Sequence, residues 1–457
     1  MKRTLHIHSL VSLTLVMLGA SCVERRDFPT TTVSFEVTFT ADNGCGVEGA
    51  EPCEHSAAPI SFTASVRALR SDRTLDTSFN GTVALTLVPS GLFSDQHPVL
   101  PDGRRVELVK LTNGEALDIG LEFTRAFGEI NLLVQDYGYT KADNVLDAAC
   151  LDLYPAPGCF AVDDDDPEFG TGAAGVADPV QFENPTIYDV QATNIESEGD
   201  FRGYPSPLFH FRVTVDGNSR DEVPTPADCV DNQGNQRELL VVTALTVDGF
   251  YVTDVCSGDG SAFASAYMYN FHTPEDLIRG DCLVELIGTV EEFQGFTELK
   301  NPFWVVDVDP DEPDTPRCAD MLPAPTELTA AMLTDDHTME GLESSLVTIT
   351  GATLATEFRS CDLNGNGAIG NDDEWDCSSD CGDEIDCVVL ESYQTYFQWS
   401  VNKDGQELNV VTRGVIDFDP EENLGLQITR LTGTLRHLDF GRPQWTLEPR
   451  DDNDFEL

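Results

Sequence analysis

The sequence predicts an all-β protein of several domains, a β-sandwich followed by two β-barrels. At 457 residues the chain is too long for one ordinary hydrophobic core. Apolar and polar side chains alternate strictly over many short stretches, which places one face of a strand in a core and the other in water. Gly, Asn and Pro separate these stretches, as turns do between the strands of sandwiches and barrels.

The N-terminal 21 residues have the features of an export signal. Lys2 and Arg3 precede an apolar stretch from Leu10 to Leu18, and small residues follow it. Cys22 comes directly after them, so the segment resembles a bacterial lipoprotein precursor. That resemblance implies that Cys22 is acylated and becomes the mature N-terminus, with residues 22–31 as a tether. The alternative is an ordinary secretory signal with an incidental cysteine.

Charge and motifs narrow the class of function. The chain carries 81 acidic against 26 basic residues, a net charge of −55, which disfavours nucleic acid and attracts cations. No second apolar run reaches the roughly 20 residues of a membrane span, so membrane attachment is expected only through the lipid. The motifs GxSxG, HExxH and GxxxxGK[ST] are missing from the sequence. We therefore expect a protein that is not an enzyme.

The cysteines predict a disulfide framework. Of the 13 cysteines, lipidation of Cys22 would leave an even number, and an exported chain folds in an oxidising compartment. Spacing indicates local pairs for the first eight, whereas the last four lie together and allow three pairings; metal binding by those four is the less favoured alternative. The predicted pairs are Cys45–Cys53, Cys150–Cys159, Cys229–Cys256 and Cys282–Cys318, and the last four cysteines are Cys361, Cys377, Cys381 and Cys387.

Residues 32–160 are predicted to form the sandwich. The stretches Asn80 to Val83 and Gly128 to Asn131 resemble bacterial immunoglobulin-like domains, so an immunoglobulin-like sandwich is expected. Four aspartates, Asp163 to Asp166, and a Gly-rich stretch then predict an extended acidic linker at 161–183. The expected core positions are Val33, Phe35, Val37, Phe39, Phe62, Ala64, Val66, Val83, Leu85, Leu87, Leu117, Ile119, Leu121, Phe123, Ile130, Leu132 and Val134.

The remaining chain reads as two related barrels, at 184–310 and 323–457, with a linker at 311–322. Gly280, Leu286 to Thr289 and Pro302 to Trp304 recur in order as Gly425, Leu431 to Thr434 and Pro443 to Trp445. Three matches in order indicate a duplicated module.

The first of these barrels carries a resemblance to a known family. The segments 187–191, 249–254 and 288–290, and above all Phe293 to Leu299, resemble the OB-fold accessory module of bacterial secreted nucleases. Leu342 to Val347 resembles the segment that follows this module in that family. The resemblance implies an OB fold. It does not imply nuclease activity, because we expect no part of this chain to form the nuclease domain.

An OB barrel binds single strands by stacking bases on aromatic side chains above a basic groove. The residues that could do this have two interpretations. The aromatics are either a stacking platform or ordinary barrel positions, and the basic residues are either a binding cluster or a solvated strand face. The aromatics are Tyr251, Tyr267, Tyr269, Phe271, Phe293 and Phe296, and the basic cluster is Arg430, Arg436, His437 and Arg442.

The segment 361–387 carries the clearest chemical pattern, the spacing of an EF-hand-like calcium loop. Asp362, Asn364 and Asn366 occupy positions 1, 3 and 5, the carbonyl of Ala368 is at position 7, and Asp373 is at position 12 as in dockerin repeats. Gly at position 6 allows the sharp turn that such loops need. Calcium is therefore the expected cofactor, with an affinity of roughly 10⁻⁴ to 10⁻³ M. The alternative is a Gly/Asn turn held by disulfides.

These observations favour a lipid-anchored, calcium-stabilised envelope protein that binds or scaffolds an unidentified partner outside the cytoplasm. Val23 rather than Asp follows Cys22, which in lipoproteins favours the outer membrane. Three alternatives stay open: a nucleic-acid-binding or nuclease-associated accessory protein, a polysaccharide-binding module, and a hydrolase that uses the acidic loop.

Overall fold

The structure is a computed structural model that describes most of the chain. None of the helices in the described ranges has the length and apolar character needed to cross a membrane. The described residues are 32–41, 54–55, 60–88, 92–93, 106–137, 173–192, 206–217, 225, 229–230, 238–258, 260–308, 311, 315–359, 387–413, 418–439 and 443–457.

The fold is all-β, as predicted, and begins with a two-sheet sandwich. One sheet has the order β1-β3-β7-β5 and the other β2-β10-β8-β4-β6, with β9 also paired to β8. Phe62 and Phe123 pack between the sheets with ring centroids 4.7 Å apart. The strands are β1 (Thr32–Ala41), β2 (Glu54–His55), β3 (Ile60–Arg70), β4 (Thr82–Val88), β5 (Leu92–Phe93), β6 (Glu107–Lys110), β7 (Glu115–Arg125), β8 (Glu129–Asp136), β9 (Ala174–Val176) and β10 (Val180–Phe182).

Two predicted core positions of the sandwich are wrong, because bulges interrupt the alternation. The β1–β3 register shifts between Thr32 and Ser34, so Thr32 is buried and Val33 is 54% exposed. Asp118 has a φ of 55°, close to the register shift between β3 and β7, and Leu117 is 56% exposed. A bulge adds one residue to a strand and moves a neighbouring side chain to the other face.

The predicted domain boundaries also shift. Residues 174–182 were assigned to the acidic linker, but β9 and β10 pair with β8, and Phe182 is 1% exposed in the sandwich core. Cys318 was assigned to the second linker, but it is buried and bonded to Cys282. Sequence composition did not indicate these strands or the buried cysteine, because short strands and single anchored residues give almost no periodic signal.

The first barrel has the strand order of an OB fold. The path β12-β13-β14-β16-β15 closes where β15 pairs with β12, β14 and β16 are parallel, and β11 extends the sheet beside β15. Helix α1 (Ile187–Gln191) buries Ile187 and Val190 against this core. The strands are β11 (Arg212–Asp216), β12 (Leu240–Leu245), β13 (Gly249–Asp254), β14 (Ser265–Tyr269), β15 (Cys282–Phe293) and β16 (Phe296–Val306).

The second barrel repeats this topology. The path β18-β21-β22-β24-β23 closes where β23 pairs with β18, and β22 and β24 are parallel. Helices α2 (Asp336–Gly341) and α3 (Leu390–Tyr396) precede β18 and β21. The strands are β17 (Thr326–Glu327), β18 (Leu346–Leu354), β19 (Glu357–Arg359), β20 (Cys387–Val389), β21 (Gln398–Lys403), β22 (Gln406–Val411), β23 (Gln427–Asp439), β24 (Pro443–Glu448) and β25 (Phe455–Glu456).

Two of the three sequence matches between the barrels are structurally equivalent. Gly280 and Gly425 both have positive φ, 95° and 68°, two residues before the fourth barrel strand begins. Gly288 and Gly433 lie against the fifth strand, where an added Cβ would come within 2.7 Å of Leu299 and 2.6 Å of Leu447. The third match is not equivalent.

The tryptophans of that third match lie at different heights of the two barrels. Trp304 is opposite Leu286 on β15, whereas Trp445 is opposite His437 on β23. Because the equivalent of Leu286 on β23 is Leu431, the two tryptophans differ in register by six residues. The duplication therefore rests on topology and on the two glycines.

The structure joins Cys229 to Cys256 and Cys282 to Cys318, the two pairs that spacing indicates in this region. Cys387 begins β20. The other cysteines named above lie outside the described residues.

Two acidic side chains meet where α1 reaches the first barrel. Asp254 accepts hydrogen bonds from the backbone of Leu239 (2.9 Å) and Cys256 (3.1 Å), and Glu238 accepts one from the backbone of Ile187 (3.3 Å). Burial and, after it, the nearby charge of Asp254 together raise the pKa of Glu238 from 4.5 to about 9. Glu238 is therefore protonated in the folded chain at neutral pH.

We predict that this proton makes folding pH-dependent. Between pH 4.5 and about 9 the folded chain holds a proton that the unfolded chain has released, so the free energy of unfolding falls as pH rises. Glu238→Gln should raise stability at pH 8 by on the order of 2 kcal/mol and leave it unchanged near pH 4.5. Urea unfolding at both pH values measures this, with exposed Glu275→Gln as the control. Equal gains at both pH values would contradict it.

Candidate functional site: the junction of the two barrels

The first barrel carries an aromatic cluster on the face that binds ligands in OB folds. That face is formed by the second and third strands, here β13 and β14. Tyr251 and Tyr267 lie on it with ring centroids 4.8 Å apart, and Phe296 from β16 lies 5.3 Å from Tyr267. All three side chains are fully buried. The aromatic face exists, but it is covered.

Arg436 on β23 of the second barrel covers this face. Its guanidinium carbon lies 5.1 Å from the ring centroid of Tyr267 and 5.0 Å from that of Phe296. Glu448 on β24 accepts a hydrogen bond from the hydroxyl of Tyr251 at 3.2 Å and lies 3.5 Å from the Arg436 guanidinium. A cation that lies over two neighbouring aromatic rings, shielded from water and paired with a carboxylate, interacts strongly with the rings and with the carboxylate. The second barrel therefore occupies the place of a stacked base.

A buried group of acids lies beside this contact. Asp335 caps the start of α2, and Glu340 lies in its last turn. Ser344, with a φ of 64°, then turns the chain into β18 and leaves Glu343 inside. His437 follows Arg436 on β23, points to the other face of the strand, and stacks on Trp445 with ring centroids 4.4 Å apart. Glu340, Glu343 and His437 are each at most 3% exposed.

The hairpin that connects β15 to β16 holds this group from the first barrel. Gln294 and Gly295 form its turn, with φ values of 54° and 83°. The backbone N–H of Thr297 donates to Glu343 Oε1 at 3.1 Å, and the Gly295 carbonyl lies 3.1 Å from His437 Nδ1. The motif at 293–299 therefore meets the segment at 342–347, and both lie at the junction.

Burial and mutual repulsion keep these acids protonated more readily than usual. Burial, followed by the charge of neighbouring acids, raises the pKa of Glu340 and of Glu343 well above the ordinary value. Burial also raises the pKa of Glu292 to about 7, although Glu292 Oε1 accepts hydrogen bonds from Ser206 N at 2.6 Å and from Thr297 Oγ1 at 2.9 Å. Such a group can hold protons or a cation.

Among the described residues, Glu340, Glu343 and His437 form the group whose ligand atoms converge closely enough for a metal ion. One carboxylate oxygen from each acid and one ring nitrogen all lie within 4.8 Å of one another. Carboxylate oxygen and imidazole nitrogen together are a donor set for transition-metal ions.

A small cavity opens beside Glu448 at the same junction. It has a volume of about 180 Å³, and it is lined by the first barrel at 244–247 and 273 and by the second barrel at 413, 434 and 448–450. Pockets for small molecules usually have volumes of roughly 300 to 1,000 Å³. This cavity suits water or a small ion.

Several residues predicted to form sites lie outside the described residues. They are Cys22 and the calcium-loop residues Asp362, Asn364, Asn366, Ala368 and Asp373. The strands on either side of the loop are described: β19 and β20 pair in parallel, with Arg359 opposite Val389.

Some of the aromatic and basic residues predicted to bind single strands lie at the junction, and others lie on the surface. Tyr251, Tyr267, Phe296, Arg436 and His437 are brought together at the junction. Tyr269 is half-buried, and Phe271 and Phe293 are 60% and 50% exposed. Arg430 pairs with Glu456 at 3.5 Å on the surface, and Arg442 lies outside the described residues.

Sequence analysis missed the acidic residues of the junction. Glu343 lies in the segment 342–347, whose one sequence signal is its resemblance to a known family. Glu292 and Glu340 are ordinary in a chain with 81 acidic residues, so their type carries no signal. A buried acid can be recognised from sequence only by an apolar surrounding, and here much of that surrounding comes from the other barrel.

Fold and junction together define the class: a multidomain all-β protein in which two OB-type barrels dock through the face that usually binds ligand. No protein-family model matches the chain, and a search of the curated proteins finds no match.

We predict that Arg436 holds the barrels together. Arg436→Ala removes a cation from two aromatic faces and leaves the buried Glu448 unpaired, so it should lower the free energy of unfolding by about 3 kcal/mol. Arg430→Ala on the same strand is the control, since its pair with Glu456 is half-exposed and should contribute less than about 1 kcal/mol. Urea denaturation of both variants measures the difference; equal losses would contradict the prediction.

Proposed function

We propose that the chain is a non-enzymatic, lipid-anchored protein of the outer membrane that scaffolds or binds a partner outside the cytoplasm. The observation that carries this proposal is the use of the aromatic OB face for docking within the chain. Arg436 and Glu448 cover the ligand face of the first barrel, so no stacking surface remains there for a base or a sugar. We therefore assign this barrel a structural role.

Exported location is supported by sequence and by covalent structure. The first 21 residues read as an export signal that ends before Cys22. The disulfides Cys229–Cys256 and Cys282–Cys318 are of the kind that persists in oxidising compartments.

Charge supports this proposal over the alternative of a nucleic-acid-binding accessory protein. A net charge of −55 repels phosphate, and Arg436, the cation nearest the aromatic cluster, is already paired with Glu448. The alternative predicts salt-sensitive binding of single-stranded DNA at low ionic strength, which a filter-binding measurement with the full mature chain would detect.

The proposal includes calcium at the loop 361–387. Asp362, Asn364, Asn366, the Ala368 carbonyl and Asp373 supply the oxygen donors that calcium prefers. Calcium there would order a segment of the second barrel between β19 and β20.

The lipid anchor gives one prediction. Cys22→Ser should move the protein from the membrane fraction of a bacterial host to the soluble fraction and abolish palmitate labelling, because the thiol that carries the lipid is gone. Val23→Asp is the matched variant, since it keeps the lipid and, by resemblance to lipoproteins, should redirect the protein to the inner membrane. Recovery of unlabelled wild-type protein in the cytosol would refute the anchor.

Calcium binding gives another testable prediction. A ligand that binds only the folded chain stabilises it by about 1.4 kcal/mol at ten times its dissociation constant. The melting temperature of residues 22–457 should therefore rise across millimolar calcium, and Asp362→Ala should abolish the rise. Asp372→Ala, at a loop position that is not a ligand in this spacing, should retain it. If 10 mM calcium does not change the melting temperature of the wild type, the loop does not bind calcium and is a turn held by disulfides.

A further inference from the structure

We propose that Glu340, Glu343 and His437 form a second, separate metal site at the junction of the barrels. This site binds a first-row divalent transition-metal ion, and zinc is the ion that we expect. This site is independent of the calcium loop and of the lipid anchor. It rests on three observations: unpartnered buried oxygens, ligands held by neighbouring groups, and a donor set that differs from that of the loop.

The first observation concerns the two carboxylates. Glu340 Oε2 and Glu343 Oε2 have no hydrogen-bond partner among the described residues, and each side chain is only 2% exposed. Buried polar atoms without partners are rare and require a proton, a water molecule or an ion. Because Glu340 and Glu343 each contribute one carboxylate oxygen to the converging group with His437, one cation would bind both side chains.

The second observation is the way the ligands are held. Glu343 uses Oε1 to accept from Thr297 N, which leaves Oε2 available as a ligand. His437 stacks on Trp445, which fixes the plane of its ring. Metal sites commonly show this arrangement, in which a second group orients each ligand and one donor atom stays available.

Nearby charges also favour a cation. Glu292, Glu340 and Glu343 repel one another, and Asp336 adds to the negative field. Arg436 is the cation next to them, and it is engaged with Glu448 and with two aromatic rings. A divalent ion would neutralise the acids where they lie.

The donor set selects the class of ion. Calcium takes six to eight oxygen ligands, whereas two carboxylates and one imidazole suit zinc and its first-row neighbours. The Gly295 carbonyl, 3.1 Å from His437 Nδ1, is a candidate fourth donor.

Ion binding would tighten the group and tie the two barrels together. The ligand atoms lie within 4.8 Å of one another, and His437 Nδ1 is 3.8 Å from Glu340 Oε2. In a tetrahedral zinc site the ligands are roughly 3.4 Å apart, so small side-chain rotations would close the shell. With Gly295 as a ligand, the ion would bridge the β15–β16 hairpin and the second barrel.

The experiment uses the full mature chain, stripped with a chelator and then titrated with zinc, with metal content measured by mass spectrometry and stability by thermal melting. We expect one zinc per chain that calcium does not displace, and a rise in melting temperature. Glu343→Gln keeps Oε1 for Thr297 N but loses a ligand, so it should weaken zinc binding roughly tenfold to a hundredfold. Glu340→Gln is the second variant, in case the first fails to fold.

Two controls separate this site from others. His337→Gln replaces an exposed histidine on α2 and should bind zinc as the wild type does. Asp362→Ala should also retain the zinc. The proposal is overturned if no stoichiometric zinc binds, or if both Glu→Gln variants bind zinc like the wild type. It is also overturned if the stripped variants melt higher than the wild type and zinc has no effect, since the acids then share protons.

Discussion

The arrangement of the two barrels depends on Arg436, whose guanidinium lies over the rings of both Tyr267 and Phe296. A guanidinium is stable in a buried position only if its charge is compensated. Glu448 and two aromatic faces compensate the charge of Arg436. Once Arg436 is fixed, the next residue, His437, must point to the opposite face of β23, toward Glu340 and Gly295. One contact therefore sets both the docking and the composition of the acidic group.

The same contact explains the most specific motif in the sequence. Phe293 to Leu299 contains the hairpin turn Gln294-Gly295, the stacked Phe296, and Thr297, whose backbone binds Glu343. Positive φ at both turn residues requires a Gly or a tolerant polar residue, so the spacing is fixed by backbone geometry. The docking of the two barrels is thus a sufficient structural reason for this motif.

Much of the fold could be predicted from sequence, because strand alternation and turn residues are local signals. The sandwich, the two barrels and the pairs Cys229–Cys256 and Cys282–Cys318 follow from such signals. Val33 and Leu117 were misplaced because a single bulge residue reverses the alternation without altering composition. The junction could not be predicted, since Tyr251 and Arg436 are 185 residues apart and nothing local indicates that they share an interface.

Docking through the ligand face constrains where a partner could bind. A stacking platform exposed to water offers its aromatic face to bases or sugars. Covering it with the second barrel removes that face from contact and leaves the outward surfaces of a chain that carries 81 acidic and 26 basic residues. A strongly acidic surface attracts cationic groups, and calcium at the proposed loop would change the local charge. The chemistry that recognises a partner is therefore expected on the acidic periphery, with the aromatic centre reserved for holding the barrels together.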